Sequence, residues 1–76
     1  MRIYLGGHLN FYHPQKDSWL EIEINQPTPL VEILERASIP LGEVYLVVNN
    51  SKLVELSEAI VSNQDDVKLF PAVGGG

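Results

Sequence analysis

The residues best placed to do chemistry stand at the end of the chain. Pro71-Ala72-Val73 is followed by Gly74-Gly75-Gly76, so the last residue offers a carboxylate with no side chain beside it. A carboxylate is a poor electrophile, because its charge is delocalised and its oxide leaving group is very basic. Acyl transfer from Gly76 therefore first needs a better leaving group. Glycine suits such a terminus: without a Cβ it lets the backbone extend through a narrow channel and lets an enzyme's groups approach the last carbonyl closely. Ordering a flexible tail costs entropy at every docking, which favours transient engagement.

Other constellations are weaker. The chain has no cysteine, so it has no disulfide framework, thiolate metal site or thiol nucleophile, and any sulfur chemistry must use sulfur from elsewhere. His8 and His13 lie five apart without a third ligand, and read as surface or loop histidines, with zinc binding the alternative. Gly6-Gly7 is followed by neither a helix nor a P-loop lysine and reads as a bulge or strand bend, not a phosphate cradle. No spacing of serines and carboxylates pairs a nucleophile with a base. The chain offers no catalytic side chain of its own.

Seventy-six residues, 45% hydrophobic and 20% charged, make one folded domain with one core. The formal charge of −5, with Arg2, Lys16, Arg36, Lys52 and Lys68 scattered, disfavours nucleic acid. If this acidity selects a partner, that partner should offer a basic face. The N-terminal residues lack a signal-peptide h-region and no run approaches a membrane span, so the expected location is cytoplasmic.

The elements that must position the terminus follow from periodicity. Met1 to Leu9 reads as a first strand with Ile3 and Leu5 inward, and Trp19 to Ile24 as a second with Leu20, Ile22 and Ile24 inward, the two joined as a hairpin by a long loop. Thr28 is expected to cap a helix that has Pro29 at its first position. Leu30, Ile33, Leu34 and Ala37 form its apolar stripe, Glu32 and Arg36 pair on the wet side, and Pro40 limits it at Ser38 or Ile39. Val44 to Asn49 reads as a strand buried on much of both faces and central in the sheet. Asn49 to Lys52 turns the chain into a short strand at Leu53-Val54. Leu56 to Ser62 is ambiguous, Asn63 to Asp66 is a turn, and Val67 to Phe70 is a last strand that Pro71 halts, with Phe70 outward. The order predicts an α+β chain with one helix on a mixed sheet.

That order, together with Leu69-Phe70-Pro71-Ala72-Val73-Gly74-Gly75-Gly76, resembles the sulfur carriers of the MoaD and ThiS families. Phe70, Pro71, Val73, Gly75 and Gly76 match the MoaD-like ending of an apolar-aromatic pair, proline, valine, a variable residue and Gly-Gly. Ala72 stands where a second proline is common, and Gly74 fills the variable place. The turn at Asp65-Asp66 is similar to a Gly-Asp turn before the last strand, with its glycine absent. The resemblance implies a ubiquitin-like β-grasp fold, with a mixed sheet of four to five strands against one main helix. Residues 1–71 would form the domain and 72–76 a flexible tail.

The resemblance also implies a function. An E1-like adenylyltransferase of MoeB or ThiF type, using ATP and magnesium, would adenylate Gly76, and a sulfur donor protein would convert it to a thiocarboxylate. The recipient would be a synthase large subunit of MoaE type or a thiazole synthase. The carrier would bind no cofactor, nucleic acid or membrane. Phe70, Pro71 and Val73 are the expected docking residues beside the tail, and Tyr4, Tyr45 and Trp19 either join them or serve as strand packing. The molybdopterin branch is favoured by the Leu-Phe-Pro-x-Val ending. The alternatives are a thiazole-branch carrier, a ubiquitin-like modifier forming isopeptide bonds, and a non-covalent interaction module.

Overall fold

The computed structural model describes residues 1–72. In chain order the elements are β1 (Arg2–Leu5), a 3-10 helix (Gly7–Tyr12), β2 (Trp19–Glu21), β3 (Thr28–Pro29), α1 (Leu30–Arg36), a 3-10 turn (Leu41–Glu43), β4 (Leu46–Asn49), β5 (Lys52–Val54), β6 (Ile60–Val61) and β7 (Asp66–Phe70). Five strands form one sheet in the order β2-β1-β7-β4-β5, with β1 and β7 parallel and the other neighbours antiparallel. A second, two-stranded pairing joins β3 to β6. Helix α1 covers the inner face of the sheet, where Leu30, Ile33 and Leu34 pack with Ile3, Leu5, Val47, Val67 and Leu69. This is the ubiquitin-like β-grasp arrangement, α+β with one main helix. Each of these large aliphatics contributes roughly 1.5–3 kcal/mol on full burial, enough to outweigh the poor intrinsic stability of a two-turn helix.

The alternation of Ile3 and Leu5, and of Val67 and Leu69, places all four side chains inward as the periodicity requires. The first strand, however, stops at Leu5 instead of running to Leu9. Gly7 has a φ of 53°, which no extended strand accommodates, and the chain turns into the 3-10 helix that drops Leu9 into the core. The expected capping at Thr28 is also replaced. Thr28 and Pro29 pair with Val61 and Ile60, the Thr28 hydroxyl donates to the Gln26 carbonyl at 2.8 Å, and no side chain caps α1. The Leu30 amide donates instead to the Ala59 carbonyl at 2.9 Å. Tertiary pairing thus supplies what a capping side chain would have supplied, and it resolves the ambiguous stretch before Ser62 as a turn followed by β6.

Helix α1 ends at Arg36, short of the expected Ser38 or Ile39. Ser38 adopts a left-handed φ of 61°, and the amides of Ser38 and Ile39 return to the carbonyls of Glu35 and Leu34 at 3.1 and 2.9 Å, which is a Schellman ending. Glu32 and Arg36 pair at 2.8 Å on the exposed side, as the spacing requires.

The middle of the sheet is β7, not the Val44 to Asn49 segment. That run is half exposed: Val47 is buried, whereas Tyr45 and Leu46 are 69% and 41% exposed. Its apolar character serves an outer face. Asn50 and Ser51, with φ of 51° and 71°, make the two-residue turn between β4 and β5, in which both central residues need left-handed angles. Among the described residues no helix is long and apolar enough to cross a membrane.

Candidate functional site

The site is built around the end of β7, from which the C-terminal residues depart. Strand alternation turns Phe70 to the outer face of the sheet while Leu69 stays in the core. On that face Phe70 meets Tyr4 with ring centroids 6.1 Å apart, and Tyr4 meets Trp19 at 5.2 Å. The guanidinium of Arg2 lies 4.2 Å from the Trp19 ring centroid, covering the far side of the group. Leu46 is directly opposite Phe70 in the β4–β7 register, and Leu53 is opposite Val48 in the β4–β5 hairpin. Trp19, Tyr4, Phe70 and Leu46 therefore make an apolar band across four adjacent strands. Lys68 stands opposite Tyr4 within this band, and Arg2, Glu21 and Asp66 make the same face polar one step further from the tail.

Of the aromatic candidates, Tyr4 and Trp19 join Phe70. The Tyr45 side chain instead lines a groove with Leu41, Leu53 and Leu56, although its backbone amide donates to the Phe70 carbonyl at 2.8 Å. Pro71 is half-buried. Val73, Gly74, Gly75 and Gly76, the remaining expected site residues, lie outside the described residues.

On the other flank of the root, the Gly6 amide donates to the Leu69 carbonyl at 2.8 Å. A Cβ on Gly6 would stand 2.8 Å from that carbonyl oxygen and 2.9 Å from Phe70 Cδ1, and one on Gly7 would stand 2.7 Å from Pro71 Cγ. The pair expected to bend the strand also makes room for the tail root. Its signal in the sequence was the glycine doublet itself; what it packs against is 64 residues further along the chain and leaves no local trace. Leu46 was likewise missed, because a run of apolar residues does not say which of its members face outward.

Beyond Gly7, His8 is exposed, with Nε2 3.0 Å from Glu43 Oε1, and the Tyr12 hydroxyl donates to the same oxygen at 3.4 Å. Burial and the Glu43 carboxylate together push the Tyr12 hydroxyl above the ordinary phenol range, so it stays a neutral donor at physiological pH. His13 is the loop histidine of the pair, in the bend after the 3-10 helix, and is buried there, its Nδ1 accepting the Gln15 amide at 2.9 Å. Among the described residues no three His, Asp or Glu side chains are grouped to hold a metal ion.

The ThiS family model matches residues 12–76, from the end of the 3-10 helix through the last glycine. The chain belongs to the ThiS family. No curated protein matches it. ThiS-family proteins are small ubiquitin-like sulfur carriers, not enzymes, and they generally interact with E1-like adenylyltransferases and synthases. The described geometry is compatible with that role: an apolar band for a partner to cover, ending at the strand from which the glycines continue. The matched span begins after Gly6 and Gly7, so the contact between these glycines and the tail root lies partly outside what the family model describes.

Proposed function

We propose that this ThiS-family chain carries sulfur on Gly76 for molybdopterin-type cofactor synthesis. Residues 1–71 act as the body and 72–76 as the tail. The observation that carries the reading is the convergence of the Trp19–Tyr4–Phe70–Leu46 band on the root of a glycine-rich ending. A partner that covers the band receives the tail at a fixed edge of the interface, with Phe70, Pro71 and Val73 as the docking residues next to the reacting end. Within the family, the Leu69-Phe70-Pro71-x-Val73 order supports the molybdopterin branch, and the partners are then a MoeB-type adenylyltransferase and a MoaE-type synthase subunit. A thiazole-branch role, with a ThiF-type activator, is the second reading and draws its support from the family match.

The chemistry divides between the proteins. A carboxylate oxygen of Gly76 attacks the α-phosphorus of ATP, pyrophosphate leaves, and the carbonyl becomes an acyl-adenylate. The activating partner supplies the magnesium–ATP site and the groups that stabilise the developing charge. The terminal sulfur of a donor persulfide then attacks the carbonyl carbon and AMP leaves. A donor thiol cleaves the resulting S–S bond, leaving the thiocarboxylate on Gly76 and a disulfide on the donor. The carrier contributes position and accessibility, and binds no cofactor itself.

The test is intact-mass spectrometry of the cytoplasmic protein incubated with magnesium–ATP, a MoeB-type or ThiF-type enzyme and a persulfide donor. A mass increase equal to exchange of one oxygen for sulfur, mapped to Gly76, is the expected result. Isopeptide-linked products without that increase would assign the chain to protein modification instead.

A further inference from the structure

The contact between Gly7 and Pro71 has no counterpart in the core and serves no sheet pairing. Gly7 has a left-handed φ of 53°, and the position of a Cβ on it is 2.7 Å from Pro71 Cγ and 3.2 Å from Pro71 Cδ. L-residues disfavour that backbone angle, and the space is already filled by the proline ring. Gly6 has an ordinary φ of −73° and is constrained by space alone, since a Cβ there would press on the Leu69 carbonyl oxygen at 2.8 Å, the same oxygen that accepts the Gly6 amide. Two consecutive residues are thus held to glycine by three consecutive residues, Leu69, Phe70 and Pro71.

We infer that Gly6 and Gly7 form a seat that aims the tail, and are positioning residues for activation of Gly76. The inference rests on the carrier reading above. Phe70 is held by the Tyr45 amide on its carbonyl at 2.8 Å, and Pro71 φ is locked by its own ring. With the ring lodged against Gly7, the first soft torsion of the chain's exit is Pro71 ψ. Everything before it is fixed relative to the Trp19–Tyr4–Phe70–Leu46 band. Five extended residues span at most about 17 Å, so a tilt of about 20° at the root moves the far end by about 6 Å. Docking of the band then places the chain end in the activating enzyme's channel only if the root points the right way. Narrowing the exit directions raises the share of tail conformers that reach the channel in each encounter.

The experiment compares the full chain with Gly7→Ala and with Ile33→Ala, a core truncation beneath α1 and remote from the root. A third chain, made by chemical synthesis, carries D-alanine at position 7; it accepts the left-handed φ and places its methyl at the other hydrogen of Cα, not at the position 2.7 Å from Pro71 Cγ. For each, the kinetics of adenylate formation by the activating enzyme are measured well below the melting temperature, together with the amide chemical shifts of Phe70 and Ala72. Gly7→Ala is expected to shift both amides and to lower kcat/KM for activation roughly 10- to 100-fold. Ile33→Ala and the D-alanine chain keep both near wild type. Equal kcat/KM for Gly7→Ala and the wild type, or unmoved Phe70 and Ala72 amides, would overturn the seat while leaving the carrier role intact. A wild-type chain that no activating enzyme adenylates would overturn the carrier role, and the inference with it.

Discussion

The side-chain amide of Asn50 donates to the Asp65 carboxylate at 3.0 Å, tying the turn of the β4–β5 hairpin to the turn that launches β7. Asp65 also accepts from Asn49 at 3.2 Å and from the Ser62 amide at 2.9 Å, and Asn50 Oδ1 accepts the Asp66 amide at 3.0 Å. A carboxylate thus organises the entry to the central strand, at the turn where the glycine of the resembling Gly-Asp turn is absent. Burial by itself would raise the Asp65 pKa. The Ser62 amide, the Asn50 and Asn49 side chains and the positive N-terminus outweigh it and hold the carboxyl below its ordinary value.

Stability should therefore depend on pH through Asp65. Its folded pKa lies below the unfolded carboxylate value of about 3.9, so its contribution is complete above that pH and is lost as pH falls through the folded pKa. Urea unfolding at pH 7 and pH 3 will show this. Asp65→Ala lowers stability at pH 7 by about 1–2 kcal/mol, discounted for partial exposure, and reduces the acid-side slope. A variant with the wild-type slope would assign the acid sensitivity to other groups.

Ser38 closes α1 from a left-handed angle that costs a non-glycine residue about 1 kcal/mol. Ser38→Gly removes that strain, partly offset by the greater freedom of glycine in the unfolded chain. A gain of roughly 0.5–1 kcal/mol is expected, read as a higher urea midpoint at unchanged m-value. A lower midpoint would mean that the Ser38 side chain contributes more than its backbone strain costs.

Leu46 sits across from Phe70 and is 41% exposed, so it can be changed without opening the core. Leu46→Asp should leave the melting temperature within a few degrees of wild type. A charge placed under a covered apolar band should still raise KM for activation on the order of tenfold or more, with little change in kcat. An unchanged KM would move the docking surface elsewhere.

Removing Gly75-Gly76 should abolish adenylation while leaving the urea midpoint unaltered, since the core residues among those described all precede Pro71. If the shortened chain still supports sulfur transfer with its partners, the protein acts by docking alone.

Much of the inner architecture was legible because burial imposes a period. Ile3 and Leu5, Val67 and Leu69, and the Leu30–Ile33–Leu34 stripe each announce a face, and each is buried as its spacing requires. The errors share a cause. Thr28 and Pro29 carry good helix-start chemistry, yet the partner strand at Ile60 and Val61 claims them, and no local pattern reports a partner 31 to 33 residues away in sequence. Val44 to Asn49 has the composition of a central strand because an outward-facing apolar band uses the same residue types as a core. At the site, Phe70 and Pro71 could be found from the ending, whereas the role of Gly6 and Gly7 depends on a contact between opposite ends of the chain.

The sheet has its last strand in the middle, with β7 inserted between β1 and β4. A nascent chain therefore cannot complete its core until the last strand has left the ribosome, and half of the strand pairing waits on that long-range step. A chain cut before β7 loses the strand that fills the middle of the sheet, so a truncation there removes the fold itself instead of leaving a shorter folded domain.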